Sequence, residues 1–245
     1  MENALENVPE NVKISLNDFV TTTKSVCGTN LISIVLFGSA AEGRMRATSD
    51  VNLILVLKAF DVSQINQLRE TLRLYSASIK LGVMFLLESE IASASEAFAV
   101  KFNDILNRHI ILAGTNPFEA LKVSRAATIQ RLKQVTVNLM LRLRERYALV
   151  SLREEQLVPI IADAAGPIRA CAATILGLEG VASVSPKEAL QTLSNKFSDK
   201  NWSETLVHMS TAREQQQLKS GEAAKTLLRI LDLLQAMHGY VQGLK

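Results

Sequence analysis

One stretch of the chain combines residue types able to hold a phosphate and a divalent cation. It runs Leu36-Phe37-Gly38-Ser39-Ala40-Ala41-Glu42-Gly43-Arg44-Met45-Arg46-Ala47-Thr48-Ser49-Asp50-Val51-Asn52-Leu53. An apolar run ends in Gly-Ser, a turn of small residues follows, and a second apolar run opens with Ser-Asp-x-Asn. Glycine lets a backbone approach a phosphate closely, and Ser39 adds a hydroxyl beside N–H groups at the expected start of a short helix, an anion-binding arrangement. Asp50 and Asn52, two apart on a strand, project to one face, where both side-chain oxygens can reach one hard cation. A triphosphate with Mg2+ is the natural occupant. Arg44 and Arg46, in the loop after Gly43, would clamp phosphate if they are not simply solvated.

These residues need strands and turns to position them. The runs 31–37, 51–57 and 79–87 are compact, rich in Ile, Val and Leu, and bounded by Gly, Ser, Asp or Lys, as buried strands are. Asp61, with Gln64 three positions later, predicts a capped helix between the second and third runs. Glu88-Ser89-Glu90 reads as the start of the next helix. After Gly114 the pattern is helical throughout. Asn116-Pro117-Phe118-Glu119 and Ser185-Pro186-Lys187-Glu188 each supply a cap, a proline at the first helical position and a nearby acid. Leu132, Val135, Leu139 and Leu143 recur at helical spacing within 121–150, and further helices are expected over about 153–176, 186–197, 203–218 and 222–242. The expectation is an α/β (α+β) domain with a small mixed sheet over 1–115, followed by an all-α helical bundle over 116–245.

At Gly38, Ser39, Gly43, Ser49, Asp50 and Leu53 the sequence resembles the nucleotidyltransferase superfamily related to DNA polymerase beta. The pattern of that superfamily is Gly-Ser, a spacer with a further glycine, and Ser-Asp-x-Asp-Leu on the next strand. The order of an α/β part and a helical part is similar to that of bacterial minimal nucleotidyltransferases and aminoglycoside adenylyltransferases. Leu112-Ala113-Gly114-Thr115-Asn116-Pro117-Phe118 resembles the segment that joins the two parts in such proteins. The resemblance implies transfer of a nucleoside monophosphate, AMP from ATP in the first instance, to a hydroxyl on a small molecule or protein. It implies Gly38, Ser39, Arg44 and Ser49 at the nucleotide, and Asp50 with Asn52 as the catalytic, Mg2+-holding pair.

The sequence departs from that pattern twice. The second aspartate is Asn52, and a neutral amide removes one negative charge from the cation cage that aligns the reacting groups in two-metal phosphoryl transfer. The superfamily places a third carboxylate on a following strand, whereas residues 75–87 contain no acid. Lys80 and Gly82 would share one face of that strand. An ammonium at Lys80 would then pair with Asp50 in place of a metal charge; the alternative is a surface lysine at a strand end. A catalytically degenerate protein that keeps the fold, as a nucleotide sensor or partner-binding subunit, is therefore the alternative to an enzyme.

Composition sets the outer bounds. Of 245 residues, 48% are hydrophobic and 21% charged, the profile of a globular protein rather than a disordered or low-complexity one. Apolar runs such as 31–37 and 81–87 are too short to span a bilayer, so no membrane association is expected. The acidic, polar opening Met-Glu-Asn-Ala-Leu-Glu-Asn lacks the pattern of an export signal, so a cytoplasmic location is expected. Cys27 and Cys171 form no CxxC pair and read as buried thiols. Residues 1–115 carry 10 basic and 12 acidic side chains and residues 116–245 carry 17 and 12. Eight basic residues between Lys122 and Arg153 face a single acid, Glu145, and read as either a solvated or a phosphate-facing surface. A net charge of +3 and 5% aromatics argue against nucleic acid as a partner. Arg108 and His109 fall near the domain junction, with His109 outside the catalytic set; Trp202 reads as a helix-start anchor. The apolar face of Leu227, Leu228, Leu231 and Leu234 closes the bundle or forms a homodimer seam.

Overall fold

The computed structural model describes residues 8–45, 49–181, 185–197 and 200–244. The chain forms two compact units, Met1–Glu96 with Asp104–Lys122, and Ala97–Asn103 with Val123–Lys245.

The first unit is built on four strands, β1 (Leu31–Phe37), β2 (Val51–Leu57), β3 (Leu81–Leu87) and β4 (His109–Gly114), in the order β3-β2-β1-β4. β1 pairs antiparallel with both β2 and β4, and β2 pairs parallel with β3. A parallel pair needs a crossover, and α2 (Val62–Ile79) supplies it. Five consecutive residues of β2, Leu53 to Leu57, are fully buried, as expected of an interior strand covered on both faces. α1 (Glu10–Cys27) packs on α2. Phe19 meets Tyr75 edge to face at 6.2 Å between ring centroids, and the Tyr75 hydroxyl donates to Asp18.

The second unit is helical: α5 (Arg125–Val150), α6 (Glu154–Leu178), α7 (Pro186–Ser194), α8 (Ser203–Gln215) and α9 (Glu222–Gln242). Its core joins Leu132 and Leu143 of α5, Ile161, Ile168 and Ile175 of α6, Leu190 of α7, Met209 of α8 and Leu227, Ile230 and Leu234 of α9. Ser185 caps α7 in a capping box with Glu188, as its sequence predicts. Trp202 is buried at the start of α8, donates from Nε1 to the Phe197 carbonyl at 3.0 Å, and lies under the Arg229 guanidinium. On α9, Leu227 and Leu234 are in the core and Leu231 packs against it, while Leu228 is exposed. That face closes the bundle.

Three local expectations change. The sequence predicts no strand over 109–114, of which 112–114 fall in the stretch that resembles a joining segment, yet β4 pairs with β1 from Ser33 to Phe37. Asn116-Pro117-Phe118-Glu119 starts a turn rather than a helix. The Asn116 side chain accepts the Phe118 N–H, the Leu121 N–H closes back on the Phe118 carbonyl, and α5 begins only after the Ser124 cap. Asp61 caps α2 through the Ser63 and Gln64 N–H groups, but the Gln64 side chain does not return to Asp61. It donates to the Cys27 carbonyl and accepts from Asn30 at 2.7 Å, tying α2 to the turn before β1. Among the described residues, α6 is one helix long and apolar enough by length and composition to cross a membrane. Of its most apolar window, 61% is buried within the fold, where it forms the centre of the bundle.

Between α2 and α5 lie two shorter helices, α3 (Ile91–Ala97) and α4 (Ala99–Asn107). A single 3-10 turn at Glu88–Glu90 leads into α3, and Glu90 folds back to accept the Leu87 N–H at 3.0 Å, the helix start its sequence predicts.

Candidate functional site

β1 ends at Phe37 and the chain turns at Gly38, whose φ of 82° lies in the region that side chains disfavour. The next five residues make one helical turn. The Glu42 N–H reaches the Gly38 carbonyl, the Gly43 N–H the Ala40 carbonyl, and the Arg44 N–H the Ser39 carbonyl at 2.9 Å. With Gly43 at φ 64°, the last two bonds form a Schellman closure. The short helix expected after Ser39 is therefore a single closed turn. Ser39 is half-buried within it, and Arg44 is exposed just beyond it. Arg46 lies outside the described residues.

Asn52 is the one residue of β2 that is not buried. It stands opposite Phe37 on β1 and opposite Gly82 on β3. Glycines flank it on both sides: a Cβ at Gly38 would lie 4.0 Å from Asn52 Nδ2, and a Cβ at Gly82 would lie 3.5 Å from Asn52 Oδ1. The amide is thus left uncovered by side chains from positions 38 and 82. Asp50, one residue before the strand, is exposed, and its carboxylate has no hydrogen-bond or ion-pair partner among the described residues. Its carbonyl receives a long bond of 3.5 Å from Asn52 Nδ2. Ser49 is half-buried beside it in sequence. Gly38, Asn52, Gly82 and the Asp50 backbone are brought together; among the described residues no hydrogen bond or ion pair ties the side chains of Arg44 or Ser39 to them.

Lys80 is not on the third strand. α2 runs to Ile79, and Lys80 caps it at φ 51° and ψ 44°, its N–H on the Tyr75 carbonyl. A left-handed lysine costs about 1 kcal/mol or more, offset here by the cap bond and by the Lys80 carbonyl, which accepts the Val51 N–H at 3.3 Å. The side chain is exposed, and among the described residues no ion pair joins it to Asp50. The β3 residue facing Asn52 is Gly82, so the strand offers neither an acid nor an ammonium at that place.

In the sequence only its place near the domain junction marks Arg108, but in the fold it braces the turn. Its carbonyl accepts the Gly38 N–H at 3.2 Å, its Nη1 donates to Glu42 at 2.8 Å, and its Nε and Nη2 grip Asp104. Burial alone would lower the guanidinium pKa, but the bonds to Asp104 and then Glu42 outweigh it and hold the group above its ordinary value. The i,i+4 spacing of Asp104 and Arg108 was legible in sequence; the reach to Glu42 was not. His109 is engaged at Nδ1 with the Ile105 carbonyl and stacks edge-on against Phe118, a structural role.

The donor set can be tested against the cation that the fold implies. Mg2+ is commonly held by one or two carboxylates together with substrate phosphates. Asp50 supplies one carboxylate and Asn52, two residues on, one amide oxygen, a donor set whose chemistry fits one Mg2+ that arrives with a triphosphate. The set does not fit a pair of cations, since Gly82 and Asn52 contribute no charge.

The fold is that of a nucleotidyltransferase-like domain followed by a helical bundle. Among solved structures, the chain is similar to spectinomycin adenyltransferase AAD(9) from Enterococcus faecialis, crystallised with ATP and spectinomycin, with a TM-score of 0.64 at 11% identity. The match covers 91% of this chain and 99% of that one. No protein family's sequence profile matches the chain, and no curated protein matches it in sequence.

Proposed function

We propose that the chain binds a nucleoside triphosphate, ATP in the first instance, at the Gly38-Ser39 turn and Asp50, and that it acts as a nucleotide sensor or partner-binding subunit rather than as an efficient transferase. The observation that carries this is the pairing of Asn52 with Gly82. Two places that could supply negative charge beside Asp50 hold an amide and no side chain at all. One carboxylate can keep a Mg2+ that the phosphates already bind, but cannot organise a second cation at an attacking hydroxyl. Support for the nucleotide comes from the glycine turn, from the uncovered Asn52 amide, and from the similarity to a fold crystallised with ATP.

The second reading is an active enzyme moving AMP from ATP to a hydroxyl of a small molecule or protein. It is favoured by the exposed Asp50 carboxylate, which has no hydrogen-bond or ion-pair partner among the described residues, and by the spectinomycin held by the similar structure. Label transfer separates the two. With α-labelled ATP, Mg2+ and a panel of hydroxyl-bearing aminocyclitols and aminoglycosides, the wild type is expected to give no more labelled product than Asp50→Ala. Labelled product made by the wild type and abolished in Asp50→Ala establishes the enzyme instead.

A further inference from the structure

The helical unit carries a second cluster of metal-ligand chemistry, unrelated to the nucleotide site. One ring nitrogen of His208 and one carboxylate oxygen each from Glu204 and Glu222 lie within 4.8 Å of one another. Glu204 and His208 are four residues apart on α8 and so project from one helix face. After α8, Gln216 at φ 55° and Gly221 at φ 82° reverse the chain, which sets Glu222 as the first residue of α9 against them. Thr226, one turn further along α9, is buried, and its Oγ1 lies 2.9 Å from His208 Nδ1.

We propose that Glu204, His208 and Glu222 form a binding site for a first-row divalent cation, Zn2+ best of all, that ties α8 to the start of α9. The ligand types select the metal. An imidazole disfavours Mg2+ and Ca2+, while one nitrogen and two carboxylate oxygens suit Zn2+ with a water in the fourth position. The contact with Thr226 engages Nδ1 and leaves Nε2 to the cation, the arrangement by which an outer hydroxyl fixes the tautomer and ring orientation of a ligating histidine. Ligand atoms around a tetrahedral zinc stand about 3.4 Å apart, given bonds near 2.0–2.1 Å, so small side-chain rotations close the present spacing. Glu204 is exposed and Glu222 half-buried, so both can move. Lys225 holds Glu222 at 3.2 Å, but it is a solvent-exposed partner of little worth that a dication displaces.

The test is a titration of the full chain, free of any affinity tag, with Zn2+ alone, read by calorimetry and by thermal unfolding. The wild type is expected to bind one Zn2+ per chain with a rise in Tm, because a cation that binds only the folded state stabilises it. His208→Ala is expected to weaken binding at least 100-fold and abolish the rise, and Thr226→Val to weaken it about 10-fold. Glu204→Gln, at an exposed position, serves if His208→Ala loses its far-ultraviolet circular dichroism, and should also weaken binding at least tenfold. No Zn2+ binding by the wild type at 100-fold molar excess overturns the proposal. So does binding that persists unchanged in folded His208→Ala or Glu204→Gln.

Discussion

Arg108 makes the case for the single residue most clearly. Its side chain and those of Glu42 and Asp104 are 17%, 22% and 19% exposed, so the two carboxylates depend on the guanidinium for compensation. Arg108→Met is expected to cost about 3 kcal/mol in urea unfolding, since removing one partner strands buried charge. The same change frees Glu42 and loosens the Gly38 turn, so ATP affinity should fall further than in a variant that is equally destabilised elsewhere. Tyr75 offers a second test. Its hydroxyl donates to Asp18, and that bond, with burial and the carboxylate charge, pushes its pKa up from 10.0 to about 12. The neutral phenol is the form the fold favours, so its stabilisation is complete below pH 10 and is lost as the pH climbs towards 12. Tyr75→Phe should therefore be less stable than wild type at pH 7, by about 1–2 kcal/mol, and the gap should narrow above pH 10 when both are melted across that range. Cys171 is fully buried, with its thiol pushed up to about 12 by burial, so a thiol reagent should label it only on unfolding.

The elements follow the sequence wherever a local signal decides them. β1 and β2 occupy the runs 31–37 and 51–57 read from their Ile, Val and Leu content, and α9 spans 222–242 as its periodicity predicts. The capping box at Ser185 formed because both of its bonds are made within four residues. Where partners are distant in sequence, the signal is ambiguous. Gln64 has the spacing of a reciprocal cap but finds Asn30 and Cys27 instead, and β4 becomes a strand because the edge of β1 is open to it. Lys80 shows the same limit at a boundary: one residue separates a strand position from a helix cap, and that residue decides what faces Asn52. Of the candidate site, Gly38, Asp50 and Asn52 were legible through their spacing. The Arg108 brace and the Gly82 vacancy beside Asn52 needed the strand register. At the end of β4, Gly114 has φ 80°, and a Cβ there would stand 1.9 Å from the Ile32 carbonyl oxygen. Gly114→Ala should cost about 3 kcal/mol or more in chemical unfolding, by clashing with backbone and breaking the β1–β4 ladder. Gly180→Ala, at φ 73° in open space, should cost only about 1 kcal/mol.

At the scale of the whole molecule, fold and chemistry separate. The arrangement of a four-stranded sheet and a bundle matches a nucleotide-using adenyltransferase over nine-tenths of the chain at 11% identity, and a fold retained at that distance does not by itself retain an activity. The basic excess of the helical half is exposed where it is densest: Arg142, Arg144 and Arg146 point out from α5, with buried Leu143 between them, as either a solvated or a phosphate-facing surface requires. What sets the proposed site apart is that positions 52 and 82, an amide and a glycine facing each other, carry no charge. The most direct test is calorimetric titration of ATP into the wild type, Asp50→Ala and Asn52→Asp, each with and without Mg2+. Nucleotide binding at a site with one carboxylate predicts that the wild type binds ATP with an affinity that Mg2+ changes less than tenfold, and that Asn52→Asp makes binding strongly dependent on Mg2+. It also predicts that Asp50→Ala removes what Mg2+ dependence the wild type has. Absence of ATP binding by the wild type at millimolar nucleotide, with or without Mg2+, would contradict it.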